Sequence, residues 1–395
     1  MRRRVVIGLS GGVDSAVAAW LLKQQGHDVI GLFMRNWTDT TGLKSAGCSY
    51  EDDLLFAEMA ANKIGIPFHE VDLSEEYRQR VVDYLFREYE AGRTPNPDVL
   101  CNREIKFDAF AREASRLGAD GIATGHYARI LETAVEGRTI YRLLAGVDKN
   151  KDQSYFLCQL NQEQLSRALF PLGDLIKPRV REIALEQGLA NAERRDSQGI
   201  CFIGKVDLPT FLQQQLTPRQ GVIIEIPKDI RMPEAGSDVE TLARPRQLEP
   251  EMGQPVGTHQ GAHFYTIGQR KGLNVGGKAE PLFILATDVD RNIIYVGQGQ
   301  DHPLLFRKAL LVRAEEVHWI RPDLSMAIGD ERRCLARIRY RQELQPATLI
   351  SKPEGLYLLF DQPQRAVVPG QFAAWHDGDE VTGSGPISPP GQPDT

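Results

Sequence analysis

The chain has 395 residues, enough for two or three domains at about 150 residues each. With 42% hydrophobic and 25% charged residues it is neither a disordered nor a fibrous chain. Lys and Arg total 47 against 53 Asp and Glu, a formal net charge of -6, which excludes a uniformly basic nucleic-acid coat but leaves room for a local basic patch.

In chain order, Val5-Val6-Ile7-Gly8-Leu9 predicts a buried strand, Asp14 to Gln25 a helix closed by Gly26, and Val29 to Met34 a second buried strand. A helix is expected from about Glu51 to Lys63, with further strands at Phe68–Asp72 and Gly121–Gly125. Continuous apolar strands separated by amphipathic helices imply an α/β domain with a parallel sheet covered on both faces. Ligands of such sheets bind beyond the carboxyl ends of the strands. Gln220 to Gly261 is rich in Pro, Glu and Gly and reads as a loop or insertion rather than a packed element. From Phe283 onward short β runs dominate, among them 293–296, 337–340 and 356–360, and suggest a small β-barrel. The residues from about Gly383 hold four Pro and are expected to be disordered. The predicted divisions are 1–208 for the catalytic domain, 209–303 for a central domain with a proline-rich insertion at about 227–253, 304–384 for the barrel and 385–395 for the tail.

Five cysteines (Cys48, Cys101, Cys158, Cys201, Cys334) are too few and too scattered for a disulfide framework, and none forms a C-x-x-C pair that would support structural zinc. The basic start at Arg2-Arg3-Arg4 is followed by too short an apolar run for a signal peptide. A cytoplasmic protein without membrane contact is expected.

Gly8-Leu9-Ser10-Gly11-Gly12-Val13-Asp14-Ser15 joins the first strand to the first helix. Its glycines permit close backbone approach to phosphate, its serines supply hydroxyls, and the helix start adds exposed N–H groups and a favourable dipole. It is neither a Walker A loop nor a dinucleotide fingerprint. Asp14 is a candidate Mg²⁺ ligand or, alternatively, a helix cap. Met34 and Gly125 end strands on the same side of the expected sheet.

Two cysteines stand in polar loops. Cys101 follows Asn96-Pro97-Asp98, and a helix pattern begins just after it. A thiol at a helix start near Arg103 and Lys106 is open to a lowered pKa, and Asp98 lies close enough in sequence to exchange its proton. Cys201 lies between Gly199 and Gly204, downstream of Arg194 and Arg195, which suit an anionic sulfur. The alternative for each is a buried small apolar residue. Cys158 and Cys334 fall in apolar patterns and take the core reading.

The strings S-G-G-V-D-S at Ser10–Ser15, N-P-D-V-L-C-N at Asn96–Asn102 and D-S-Q-G-I-C-F-I-G at Asp196–Gly204 together resemble the bacterial tRNA-specific 2-thiouridylases of the PP-loop ATPase superfamily. The resemblance runs on through Thr124–Tyr127, Lys151–Leu157, Tyr265–Gly272 and Arg339–Arg341. It implies sulfur transfer to C2 of the wobble uridine of tRNA. ATP, bound by Gly8–Ser15 with Met34 and Gly125, would adenylate the C2 oxygen, with Mg²⁺ beside the pyrophosphate. Cys201 would carry the sulfur as a persulfide received from a cysteine desulfurase or sulfur-relay protein. Cys101 would act as nucleophile, closing a Cys101–Cys201 disulfide, and Asp98 as general acid/base. Asn96, Pro97 and Asp98 would face the target base, while His126, Lys151, Asp152, Gln153, Arg339, Tyr340 and Gln371 match tRNA-contacting positions. A monomer is favoured. Members of the family usually have a short hairpin where this chain carries its acidic, proline-rich insertion.

Arg332 to Arg341 holds five arginines and no acid. On a strand, Arg333, Arg337, Arg339 and Arg341 would share one face, a platform for phosphates. Other readings of the whole remain open: another PP-loop adenylating enzyme, or an RNA-binding module without turnover.

Overall fold

In the computed structural model the described residues are 2–36, 50–195, 208–230, 232 and 236–388. The continuous apolar runs form a parallel sheet from β1 (Arg4–Gly8), β2 (Asp28–Arg35), β3 (Phe68–Asp72), β4 (Gly121–Ala123) and β7 (Ala168–Leu169), in the order β3-β2-β1-β4-β7. Both faces of this sheet are covered, which is why its strands do not alternate in polarity. Helices α1 (Val13–Gln24) and α2 (Tyr50–Ile64) cover one face, packing on Val5, Ile7, Val29 and Phe33. On the other face Val6, Leu32 and Met34 pack with the helical residues Val81, Leu85, Val99, Cys101, Ile105 and Phe110.

Between β4 and β7 the chain forms a hairpin, β5 (Ala128–Val135) and β6 (Arg138–Ala145), which no sequence expectation covers. Its turn, Glu136-Gly137, has both residues at positive φ, 49° and 78°, matching the twist of a two-residue hairpin.

The hairpin leaves the parallel sheet and joins the C-terminal one. There β12 (Phe306–Arg313), β14 (Glu331–Arg337), β15 (Gln345–Lys352), β16 (Gly355–Arg365), β17 (Phe372–Asp377) and β18 (Glu380–Pro386) lie in the order β12-β16-β15-β14-β17-β18-β6-β5. The short β13 (His318–Trp319) pairs with β18. The middle sheet comprises β8 (Gly221–Glu225), β9 (Gln254–His259), β10 (Leu282–Asp288) and β11 (Ile293–Gln298), ordered β10-β11-β8-β9.

Three expectations are corrected here. The segment between β8 and β9 is not simply a loop: Asp238 caps a short helix, Val239–Ala243, by accepting from the Thr241 N–H at 2.8 Å. Val239 and Ala243 then pack on Ala309, Leu311 and Tyr357 of the barrel, so the insertion carries an apolar anchor inside its acidic composition. The arginine strand ends at Arg337 instead of continuing through Tyr340, because residues 338–341 bend and turn away. At the carboxyl terminus, order extends past Gly383: β18 runs to Pro386, Ile387 is buried, and the Ser388 N–H donates to the Leu311 carbonyl at 2.9 Å. Among the described residues no helix is long and apolar enough to cross a membrane.

Candidate active site

The phosphate-loop candidate closes between β1 and α1. Gly11 has φ +73°, and a Cβ there would stand 2.4 Å from the Asp53 carbonyl oxygen. Conformation and space both require glycine. The Ser10 N–H donates to Ser15 Oγ at 3.2 Å, and Ser15 Oγ donates to the Gly12 carbonyl at 3.1 Å. The start of α1 at Gly12 has no side-chain cap, which leaves its first turn suited to an anion. Gly125 presses against that turn: a Cβ would lie 2.9 Å from both the Asp14 carbonyl carbon and the Ser15 nitrogen. Met34 lies beside Gly8 at the end of β2 and is buried. Met34 thus lies against Gly8, and Gly125 against Asp14 and Ser15, at the two ends of the loop.

Asp14 is held differently. Lys177 Nζ donates to its two carboxylate oxygens at 2.7 and 2.8 Å, and the Tyr127 hydroxyl donates to Oδ1 at 2.8 Å. With its oxygens engaged by a cation, this carboxylate does not fit a Mg²⁺ ligand. Among the described residues no group of three or more His, Cys, Asp or Glu is placed to hold a metal. The loop's carbonyls are secured from behind: Asn191 Nδ2 donates to Gly11 and Gly12 at 3.1 Å each, and Arg194 Nη1 to Gly11 at 3.1 Å. Arg194 also pairs with Asp53 at 2.6 Å and stacks over Phe56. Arg194 thus braces the candidate phosphate loop; the sulfur of Cys201, which the sequence expects it to stabilise, lies outside the described residues. Lys177, Asn191 and the Tyr127 hydroxyl join the site beyond the residues the sequence suggests. Tyr127 falls in a recognised motif, whereas Lys177 and Asn191 have no local signal.

The Cys101 segment lies on the Met34 face of the sheet. Asn96 Oδ1 accepts from the Val99 N–H at 3.3 Å and Pro97 takes the first helical position, so the helix starts four residues before the cysteine. Cys101 is consequently a full turn inside and fully buried, and a helix-start argument for its acidity does not apply. Arg103 is engaged as well, donating to Glu104 and to Gln159 at 2.7 Å each. From Cys101 to Ala109 the helix widens to π-type bonding, a local form frequent at functional sites. Asn102 Nδ2 donates to the carbonyls of Asp98 at 3.0 Å and Phe156 at 3.2 Å, tying this turn to the Ser154–Leu157 segment. Cys201, with residues 196–207, and Cys48 lie outside the described residues. Cys158 and Cys334 sit among apolar residues, and burial pushes both thiols up to about 12.

The tRNA-contact candidates divide into two sets. His126 is buried beside Phe107 and Phe170, with Nδ1 2.7 Å from Thr124 Oγ1. Burial, with Lys106 nearby, holds its imidazole well below the usual range and hence neutral. Asp152 accepts from the Gly146 and Ser154 N–H groups and from Arg337 Nη2 at 2.8 Å. Gln153 and Tyr127 exchange two hydrogen bonds, at 2.9 and 3.1 Å. Gln371 Nε2 donates to the Thr94 and Pro95 carbonyls at 2.9 and 3.2 Å, and the Thr94 N–H donates to Pro369. Thr94 Oγ1 also meets Thr266 Oγ1 of the middle region at 3.0 Å. These four residues fix loops. Lys151, Arg339 and Tyr340 retain partial exposure, and Tyr340 lies 4.3 Å from Phe156, centroid to centroid. The continuous basic face is not present. Arg337 is buried in its pair with Asp152, Arg333 pairs with Asp361 at 2.7 Å, and Arg339 donates to the Arg365 carbonyl.

A five-stranded parallel sheet with this first loop, followed by two β regions, defines a HUP-type nucleotide-binding enzyme. The tRNA methyl transferase HUP domain model matches residues 3–205, the tRNA methyl transferase PRC-barrel domain model 243–298 and the aminomethyltransferase β-barrel domain model 310–387. A tRNA-specific 2-thiouridylase MnmA of Flavobacterium johnsoniae is 57% identical over 394 residues, covering 98% of this chain and 100% of that protein. The one from Christiangramia forsetii is 56% identical with the same coverage, and one from Pseudomonas aeruginosa is 46% identical over 390 residues, covering 98% and 94%. The chain belongs to the tRNA-specific 2-thiouridylases, which are tRNA-uridine sulfurtransferases.

Proposed function

We propose that this chain converts the wobble uridine of tRNA to 2-thiouridine in two chemical stages on one face of its parallel sheet. In the first, the C2 oxygen attacks the α-phosphate of ATP held by Gly8–Ser15, Met34 and Gly125, and pyrophosphate leaves. In the second, the outer sulfur of a Cys201 persulfide reaches C2 and AMP departs with the former oxygen. Adenylation is needed because a carbonyl oxygen is otherwise a poor leaving group. The Cys101 thiolate then attacks the inner sulfur, that of Cys201; its bond to the outer sulfur breaks, that sulfur remains on C2 as 2-thiouridine, a Cys101–Cys201 disulfide forms, and a thiol reductant restores both thiols. Asp98 moves the proton, and Asn96 and Pro97 shape the pocket for the base. Because Asp14 is committed to Lys177, no step here is routed through a metal.

Lys151, Arg339 and Tyr340 supply the contact with tRNA, while His126, Asp152, Gln153 and Gln371 position the loops behind that surface. The sulfur arrives from a cysteine desulfurase or relay protein. The observation that supports this reading is that Met34, near the carboxyl end of β2, and Cys101 belong to one packed cluster on the same face of the sheet. Mass spectrometry of the wobble nucleoside after incubation with ATP, tRNA and a sulfur donor tests it. Cys201→Ser should release pyrophosphate in a tRNA-dependent manner and yield no 2-thiouridine; full thiolation by this variant removes the carrier role.

A further inference from the structure

Asn36 follows β2 directly, at the carboxyl end of the sheet where ligands of such folds bind. Along β2, Val29 and Phe33 face α1 and α2, whereas Leu32 and Met34 face the cluster that contains Cys101. Continued by one residue, the same alternation would put Asn36, just past the strand, on the Met34 side. Its side chain is unusual for a buried amide: the residue is 2% exposed, and among the described residues neither Nδ2 nor Oδ1 has a hydrogen-bond partner. Burying a carboxamide without partners is costly, and native structures rarely leave both ends of one unpaired. A packing role would be served better by Leu, which has nearly the same shape and no polar atoms. The retained donor and acceptor therefore point to a ligand.

We infer that the Asn36 carboxamide is a further binding residue, pairing with a heterocyclic base edge that presents a hydrogen-bond donor beside an acceptor. Asn is suited to this because Oδ1 accepts and Nδ2 donates in one plane, as in its pairing with adenine. Two bases in the reaction offer such an edge: the adenine of ATP, through its 6-amino group and a ring nitrogen, and the target uracil, through N3–H and a carbonyl. The inference rests on the thiolase reading for the identity of these ligands. Its test reads binding directly and is independent of thiolation.

The experiment compares wild type with Asn36→Leu and Asn36→Asp. The melting temperature of Asn36→Leu is expected to rise, since two orphaned polar atoms are removed, while affinity for a base falls about tenfold or more. Calorimetric titration with ATP and, separately, with substrate tRNA tells the two sources apart. Loss for ATP alone assigns adenine, and purine riboside triphosphate, which lacks the 6-amino group, should then bind wild type and Asn36→Leu alike. Loss for tRNA alone assigns uracil. Asn36→Asp keeps the acceptor and loses the donor, so it should bind more weakly than wild type. If Asn36→Leu is more stable and binds both ligands as wild type does, the inference is wrong. Should wild type bind ATP and tRNA yet form no thiouridine, the functional reading fails while the Asn36 result stands.

Discussion

The phosphate loop and the seam between the barrel and the N-terminal half both depend on ion pairs, but they use them differently. At the loop, Asp14 and Lys177 meet with side-chain exposures of 29% and 10%, and the pair lies against backbone suited to an anion. At the seam, Glu380 is 2% exposed and takes Arg142 of β6 on one oxygen and Arg321 on the other, at 2.8 and 2.7 Å. A few residues away Asp152 and Arg337 are buried as a second pair. The loop pair borders a helix start suited to an anion, whereas the charge in the seam is enclosed by protein and works as an architectural joint. An arginine-rich stretch is therefore not by itself an RNA surface, since its members are divided between these uses.

The largest effect should come from breaking the seam. Glu380→Ala removes the carboxylate shared by Arg142, whose side chain is 30% exposed, and the buried Arg321, which keeps its pairing with Asp323. Removing one member of a buried pair costs about 3–5 kcal/mol; the Asp323 partner of Arg321 and the partial exposure of Arg142 put the loss at the lower end of that range, still a large share of a typical domain's stability. Chemical denaturation should show that loss, with the β5–β6 hairpin exchanging its amide hydrogens faster. A cost below about 1 kcal/mol would show the seam charges to contribute no more than an exposed surface pair.

Acid should attack the same seam. His376 lies buried on β17, and burial, then the Arg337 charge, holds its imidazole down to about 3. The unfolded chain takes up this proton below the ordinary value of 6.5 and the folded chain does not. Stability contributed by the neutral ring is complete above pH 6.5 and is lost progressively as pH falls toward 3. At pH 5 the loss from this residue is about 2 kcal/mol, at roughly 1.4 kcal/mol per pH unit. His376→Leu should flatten the stability–pH curve between pH 5 and 6.5 by about that amount. Parallel curves would mean that His376 does not govern the seam's acid response.

At the loop the consequence should appear in binding instead. Asp14→Asn keeps the shape of the side chain but releases the Lys177 ammonium. The expected result is about a tenfold change in ATP affinity, equal to about 1.4 kcal/mol, with a smaller change in melting temperature. Titration with ATP beside thermal denaturation separates the two. A variant that loses stability and binds ATP normally would place Asp14 with the seam residues.

Legibility in the sequence follows the range of the forces involved. β1, β2, α1 and α2 were readable because an apolar run bounded by glycine specifies them locally, and the phosphate loop because its glycines meet local steric demands. The hairpin β5–β6 escaped notice because its partner strand, β18, lies more than two hundred residues away. Lys177 and Asn191 were invisible for the same reason: each reaches a loop more than 160 residues earlier in the chain. The helix of the insertion was hidden by composition, since two apolar anchors among Pro and Glu do not make a period. The setting of Cys101 is not legible from its polar flanks, because the cap that starts the helix is Asn96, a turn before the cysteine.

The smallest effects should come from the exposed arginines, and they test the division most directly. Arg333 and Asp361 pair with side-chain exposures of 60% and 47%, and surface pairs of this kind contribute about 0–1 kcal/mol. Arg333→Ala should therefore shift stability only slightly. Its effect on RNA binding should also be small, because Asp361 already offsets its charge. Arg341 lies beyond the end of β14, exposed, in the turn that carries Tyr340. Arg341→Ala should reduce the slope of log affinity for tRNA against log salt by about 1 if it meets one phosphate. Titrations at several salt concentrations give both slopes. Equal flattening by the two variants would restore one continuous basic face along β14, whereas an effect confined to Arg341 places RNA contact in the turn beside Phe156 and Tyr340 and leaves the strand's arginines to the barrel.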